Sequence, residues 1–128
     1  MIISGEIYED FRGKMRLLND FDLKSIVRMY CIEPNVDIIR AWQGHKFENK
    51  WFFASRGSFE VKIINMKSGK KSEYLLTDKR SEILHITAGN YNGFKALEEG
   101  SLLIVFSDFT LEQSKSDDYR VSLDQIAW

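Results

Sequence analysis

Short apolar runs separated by polar turns recur along this 128-residue chain. Phe59, Val61 and Ile63 alternate with Glu60 and Lys62, the period of two expected of a half-buried strand, and Ser58 to Asn65 is read as one. Ser25 to Ile32 is rich in β-branched and aromatic residues, as strands are, and Trp51 to Ser55 is a similar run closed by Arg56-Gly57. Met66 to Lys71 reads as a polar turn, after which Ser72 to Leu76 resumes extended structure. Ile83 to Ile86 and Ser101 to Phe106 read as buried strands around the Gly89 to Glu99 segment. No stretch before residue 110 keeps a 3.6-residue period, and Leu111 to Lys115 is a candidate turn of helix. Many short strands with regular turns predict an all-β sandwich or barrel. Neither a linker nor an internal repeat divides residues 1–128, so one domain is expected.

Two spacings sharpen that picture. From Gln43 the chain runs Gln-x-His45, four residues, Lys50, six residues, Gly57, which is the spacing of the first cupin motif, His-x-His-x4-Glu-x6-Gly. Thr87-Ala-Gly89-Asn-Tyr-Asn92 keeps the glycine and the spacing of the second motif, Pro-x-Gly-x2-His-x3-Asn, with Thr for Pro and Asn for His. Two motifs in register predict a small jelly-roll barrel of the cupin kind. The positions that hold a metal in such a barrel are here Gln43, His45, Lys50 and Asn92. An ammonium repels a divalent cation, Gln and Asn are weak neutral ligands, and one imidazole does not hold a transition metal against them. The site is therefore read as metal-free.

Asp20-Phe-Asp-Leu, Arg28-Met-Tyr-Cys-Ile, Arg40 to Gly57 and Gly89-Asn-Tyr-Asn-Gly-Phe94 together resemble the RmlC-like cupins that act on nucleotide-activated sugars. These are the dTDP-4-dehydrorhamnose 3,5-epimerases and the related dTDP-sugar 3,4-ketoisomerases (WxcM-like). Arg40-Ala-Trp-Gln-Gly-His45 looks like the ketoisomerases' Arg-Gly-x-His-Ala-His, and Asn92-Gly-Phe94 like the epimerases' His-Gly-Phe. The resemblance spans roughly residues 20 to 125. It implies a cofactor-free isomerase whose substrate, a dTDP-4-keto-6-deoxyhexose, acidifies its own C–H bond, while the protein supplies a base and stabilises the enolate. It further implies a setting in deoxysugar synthesis for surface polysaccharide.

Under that resemblance His45 is the base and Lys50 the enolate's cation, both catalytic. Arg40, Gln43, Asn92 and, more remotely, Tyr30 are substrate contacts. An amide at position 43 hydrogen-bonds but cannot abstract a proton. Gln43, Asn92 and Phe109 stand where relatives carry proton-handling residues. These substitutions favour a protein that binds a sugar nucleotide, or only assembles with a partner, without turnover. His45 with Lys50 favours the enzyme. His85 lacks motif support and is read as structural. Ser114 to Arg120 reads as a solvated surface segment, and its likeness to an Asp-Tyr-Arg stretch near the end of the relatives implies that Tyr119 and Arg120 fold back onto the barrel. Of Trp42, Trp51, Phe52 and Phe53, alternation sends some rings inward and others to a sheet face.

Composition changes this little. Hydrophobic residues are 44% and charged residues 29%, as in an ordinary globular domain, and the net charge of −1 gives no cause to expect nucleic acid or an anionic membrane. No apolar run approaches the roughly 18 residues of a membrane span, and Met-Ile-Ile-Ser-Gly-Glu lacks the layout of a secretion signal. The single cysteine, Cys31, lies in an apolar run and is read as a buried thiol in a reducing cytoplasm. The aromatic surplus at Trp51 to Phe53, with the sheet pairing of the relatives, predicts a homodimer.

Overall fold

The computed structural model describes residues 1–128 as twelve strands and one short helix. The strands are β1 (Ile2–Ser4), β2 (Glu6–Asp10), β3 (Gly13–Leu17), β4 (Arg28–Ile32), β5 (Arg40–His45), β6 (Lys50–Arg56), β7 (Ser58–Asn65) and β8 (Lys71–Thr77). After them come β9 (Glu82–Ile86), β10 (Asn90–Ala96), β11 (Leu102–Ser107), the helix α1 (Leu111–Lys115) and β12 (Tyr119–Arg120). No helix is long and apolar enough to cross a membrane.

From β4 to β11 the pairing is nested and antiparallel: β7 with β8, β6 with β9, β5 with β10, β4 with β11. A long hairpin paired in this way and rolled up gives a jelly roll. Its two sheets run β1-β9-β6-β11-β4 and β12-β5-β10-β7-β8, so the short strands β1 and β12 each extend one sheet edge. Phe52, Ala54, Leu84, Ile86, Leu103 and Val105 from the first sheet face Phe59, Val61, Ile63, Leu76, Phe94 and Ala96 from the second. In β7 the positions that alternation selected, Phe59, Val61 and Ile63, are all buried, and Ile64 is buried as well.

Both motif glycines have a physical cause. Gly57 joins β6 to β7 at φ +77°, and a Cβ there would lie 2.0 Å from Ser101 Oγ. Gly89 turns into β10 at φ +89°, with its N–H donating to His45 carbonyl at 2.7 Å. Both φ values are in the left-handed region that favours glycine.

Several expectations are corrected. The strand expected from Ser25 begins at Arg28, because Ile26 N–H turns back to Leu23 carbonyl and pairing with β11 starts opposite Ser107. Residues 90–96, left outside the expected strands, form the central strand of the second sheet; polar Asn90, Asn92 and Lys95 and the flexible Gly93 mask it. Lys71, assigned to the turn, opens β8. Cys31 is exposed, not buried. It lies on an edge strand whose inward positions are Tyr30 and Ile32, so alternation turns Cys31 and Met29 outward.

Candidate active site

A cavity of about 360 Å³ opens between the sheets, toward the low end of the roughly 300–1,000 Å³ usual for small-molecule sites. Its apolar walls include Phe52 and Phe94, and its polar lining is Tyr30, Gln43, Lys50 and Asn92, with Arg40 and Arg120 beside them. Register brings these together. Gln43 lies opposite Asn92 across β5 and β10. Lys50 lies opposite Ser107 and Tyr30 opposite Val105, on either side of β11. Every ionisable side chain lining the cavity, Tyr30 aside, is cationic.

Lys50 opens β6 and is 3% exposed. Its Nζ donates to Tyr30 Oη at 3.0 Å and to Gln43 Oε1 at 3.3 Å, and no carboxylate lies within 4.0 Å of it. A buried ammonium without a counter-charge is costly, and here two neutral oxygens solvate it. Lys50 has three N–H donors and two are engaged, so one remains for a ligand.

Beside it, His45 is buried, and its Nδ1 lies 2.6 Å from the Asp117 carbonyl. A carbonyl only accepts, so Nδ1 carries the proton and Nε2 holds the lone pair in the neutral ring. Nε2 is buried and has no hydrogen-bond partner. Burial, then the Lys50 ammonium, push the His45 pKa below its ordinary value, which keeps the ring neutral and its Nε2 lone pair free near pH 7. His45 does not line the cavity; the hydrogen-bonded Gln43 and Lys50 do.

Two buried acidic residues lie against this imidazole, Asp117 through its backbone carbonyl and Glu48 through its carboxylate. Asp117 accepts from the backbone N–H groups of Lys46, Phe47 and Glu48 at 2.8, 2.9 and 2.8 Å, fixing the turn that follows His45. Burial pushes the Asp117 carboxyl up, but those three donors outweigh it and the net displacement is downward. Glu48 accepts from Ser107 Oγ and Ser114 Oγ, each at 2.6 Å, and its Oε1 is 3.5 Å from His45 Nδ1.

The remaining residues are placed as follows. Asn92 is buried, and its Nδ2 donates to Gln43 carbonyl at 3.2 Å. Gln43, expected as a sugar contact, is engaged at both ends of its amide, with Nε2 donating to Asp118 Oδ1 at 3.2 Å. Arg40 is exposed, with its guanidinium 5.9 Å from the Phe94 ring centre. His85 lies outside the cavity, stacked on Trp51 at 4.6 Å, with Nε2 3.1 Å from Asn49 Oδ1. The carbonyl of Phe109 accepts from Arg28 Nε at 3.3 Å, away from the cavity lining.

Sequence reasoning missed Glu48, Asp117 and Asp118. Glu48 sits inside the first spacing motif and Asp117 in an apparent surface run, and only the folded tail brings Asp117 under residues 45–48. Arg120 was expected to fold back, and it does: β12 pairs with β5, Arg120 opposite Gln43. No three His, Cys, Asp or Glu side chains converge as a metal site requires.

The sequence model of the family described as FdtA, WxcM-like, C-terminal, matches residues 6–126. No curated protein matches the sequence. Among solved structures, the dTDP-4-dehydrorhamnose 3,5-epimerase of Sulfolobus tokodaii is similar at TM-score 0.81 and 22% identity, over 99% of this chain and 79% of that one. The 3'-monoepimerase ChmJ of Streptomyces bikiniensis, in complex with dTDP-quinovose, is similar at TM-score 0.83 and 16% identity, over 99% and 73%. The sugar 3,4-ketoisomerase QdtA of Thermoanaerobacterium thermosaccharolyticum, in complex with TDP, is similar at 0.76 and 21%, over 98% and 90%. At these identities what is shared is the jelly-roll fold.

Proposed function

This chain belongs to the WxcM-like, C-terminal family, and we propose that it is an isomerase of a nucleotide-activated 4-keto-6-deoxyhexose, working by proton abstraction beside the ketone. The observation that carries this reading is the Lys50 ammonium, buried at the cavity wall with no counter-charge and one free donor. Such a cation is poorly balanced until negative charge develops beside it, which is when an enolate forms.

In this mechanism the substrate's own ketone acidifies the neighbouring C–H bond. The proton passes to His45 Nε2 through a bridging water, since His45 does not itself line the cavity. The developing oxyanion takes the free N–H of Lys50. Tyr30 Oη already accepts from Lys50, which leaves its own hydroxyl proton to return to another position of the enediolate; the proton held on His45 then passes back through water to the Tyr30 oxygen, restoring both groups. Asn92 contacts the sugar, and Arg40 and Arg120 hold the diphosphate of a dTDP carrier, a group their planar forks suit. No cofactor enters the cycle.

The setting we propose is deoxysugar synthesis for surface polysaccharide, in a cytoplasm where an exposed Cys31 stays reduced. We also propose a homodimer. Met29, Cys31, Phe53, Ile104 and Phe106 share the outer face of the first sheet, and Ile7, Tyr8 and Phe11 stand exposed on the β2–β3 hairpin.

Proton NMR of a dTDP-4-keto-6-deoxyhexose with the protein in D2O tests the activity. Deuterium entering at C3 or C5 marks epimerisation, and entry at C4 marks ketone migration. Wild-type protein that binds the nucleotide sugar yet exchanges nothing above buffer overturns the reading.

A further inference from the structure

Gln43 occupies a position where relatives of this fold carry a proton-handling residue, yet its amide is bound on both sides. Lys50 has only donors to offer, so the Gln43 carbonyl must face it at 3.3 Å. The ionised Asp118 carboxylate only accepts, so the Gln43 NH2 must face it at 3.2 Å. The two neighbours thus impose one orientation on an amide that could otherwise be flipped. Arg120 in turn grips Asp118 through Nε at 2.8 Å and Nη2 at 3.2 Å. The result is an alternating donor–acceptor chain from Arg120 through Asp118, Gln43 and Lys50 to the Tyr30 hydroxyl.

β12 makes this chain possible. Arg120 pairs opposite Gln43 and Tyr119 opposite Gly44, which sets Asp118 beside the Gln43 side chain. We infer that Asp118 is a positioning residue, which fixes the Gln43 amide so that Gln43 in turn holds the Lys50 ammonium against Tyr30 at the cavity wall. The inference rests on the proposed isomerase reading for its catalytic consequence but not for its structural content. Unlike a histidine, the amide does not titrate near neutral pH, so the orientation it enforces holds across that range. Gln43 is thereby a strut of the site, and the tail residues 118–120 belong to the active-site wall.

The test follows the Lys50 ammonium directly, by 15N-lysine Nζ correlation NMR near pH 7, with Lys50→Met to assign its signal. A hydrogen-bonded Lys50 gives a slowly exchanging signal in wild type. That signal is lost in Asp118→Ala and in Gln43→Met, and persists in Asp118→Asn, which keeps an acceptor for the amide. In the deuterium-exchange assay, Asp118→Ala lowers kcat about tenfold with KM within about twofold, the mark of misplaced rather than lost groups. Asp118→Asn stays within about threefold of wild type, and Asp118→Ala adds nothing further in a Gln43→Met background. A Lys50 signal that is unchanged in Asp118→Ala, or kcat losses that add in the double variant, overturns the inference. If the signals respond as described while wild type exchanges no deuterium, the isomerase reading fails and the positioning role stands.

Discussion

His45 and Lys50 owe their chemistry to what surrounds them. His45→Asn should lower deuterium exchange by about 10² to 10⁴, because only proton transfer is removed, and leave nucleotide-sugar affinity within a few-fold. Lys50→Met should cost about 10² to 10³, since the ammonium acts on charge that develops in the transition state. Calorimetry beside the exchange assay separates these losses from a binding defect. The same burial sets a pH dependence of stability. Folding pushes His45 and His85 below the ordinary value of about 6.5, in each case first by burial. As pH falls through 6.5 the unfolded chain takes up protons that the folded chain refuses, so stability is full above that value and declines below it. Melting temperature should therefore drop between pH 7.5 and pH 5.5, and His85→Asn should flatten part of the drop. Equal melting temperatures at the two pH values would contradict the burial argument.

At the level of elements, the turns that join strands of opposite sheets carry the strictest demands. Gly57 has φ +77°, and an added Cβ would meet Ser101. Gly57→Ala should destabilise the protein by about 2 kcal/mol or more, through left-handed backbone strain and displacement of Ser101, measurable by urea denaturation. Asp117 is the second such point, because its carboxylate serves three backbone N–H groups in the turn between β5 and β6. Asp117→Ala leaves these donors without their acceptor. It should cost about 3 kcal/mol and loosen the turn that carries His45. The spacing motif announced Gly57 by position alone, and its structural cause is a contact with a residue 44 positions away.

For the molecule as a whole, charge and apolar surface are unevenly distributed. A chain of net charge −1 gathers Lys50, Arg40 and Arg120 around one cavity, so the local field there suits an anion although the overall charge does not. The outer face of the first sheet is partly covered by the chain itself: Phe21 packs on Trp51 and Phe106, and Arg16 lies over Phe53. Met29 and Cys31 at its edge stay open, beside the exposed hairpin. Light scattering at micromolar concentration should report twice the 15.0 kDa chain mass, and Met29→Glu should shift the particle toward the monomer. A 15.0 kDa wild-type particle would rule the dimer out.

The sequence by itself determined the fold class, because period-two burial and the two spacing motifs are local properties that survive without coordinates. It likewise placed Gln43, His45, Lys50 and Asn92 around one region, since motif register fixes which residues of neighbouring strands share a face. It did not reveal β10, where Asn92 is buried against the cavity and Asn90 and Lys95 break the apolar run, nor the exposure of Cys31, which depends on β4 being an edge strand. Above all it did not show that His45 stands outside the cavity lining to which Gln43 and Lys50 belong, nor that Glu48, Asp117 and Asp118 support the site. Those facts are contacts between residues as many as 75 positions apart. They exist only once the tail has folded back against β5, so no local pattern encodes them.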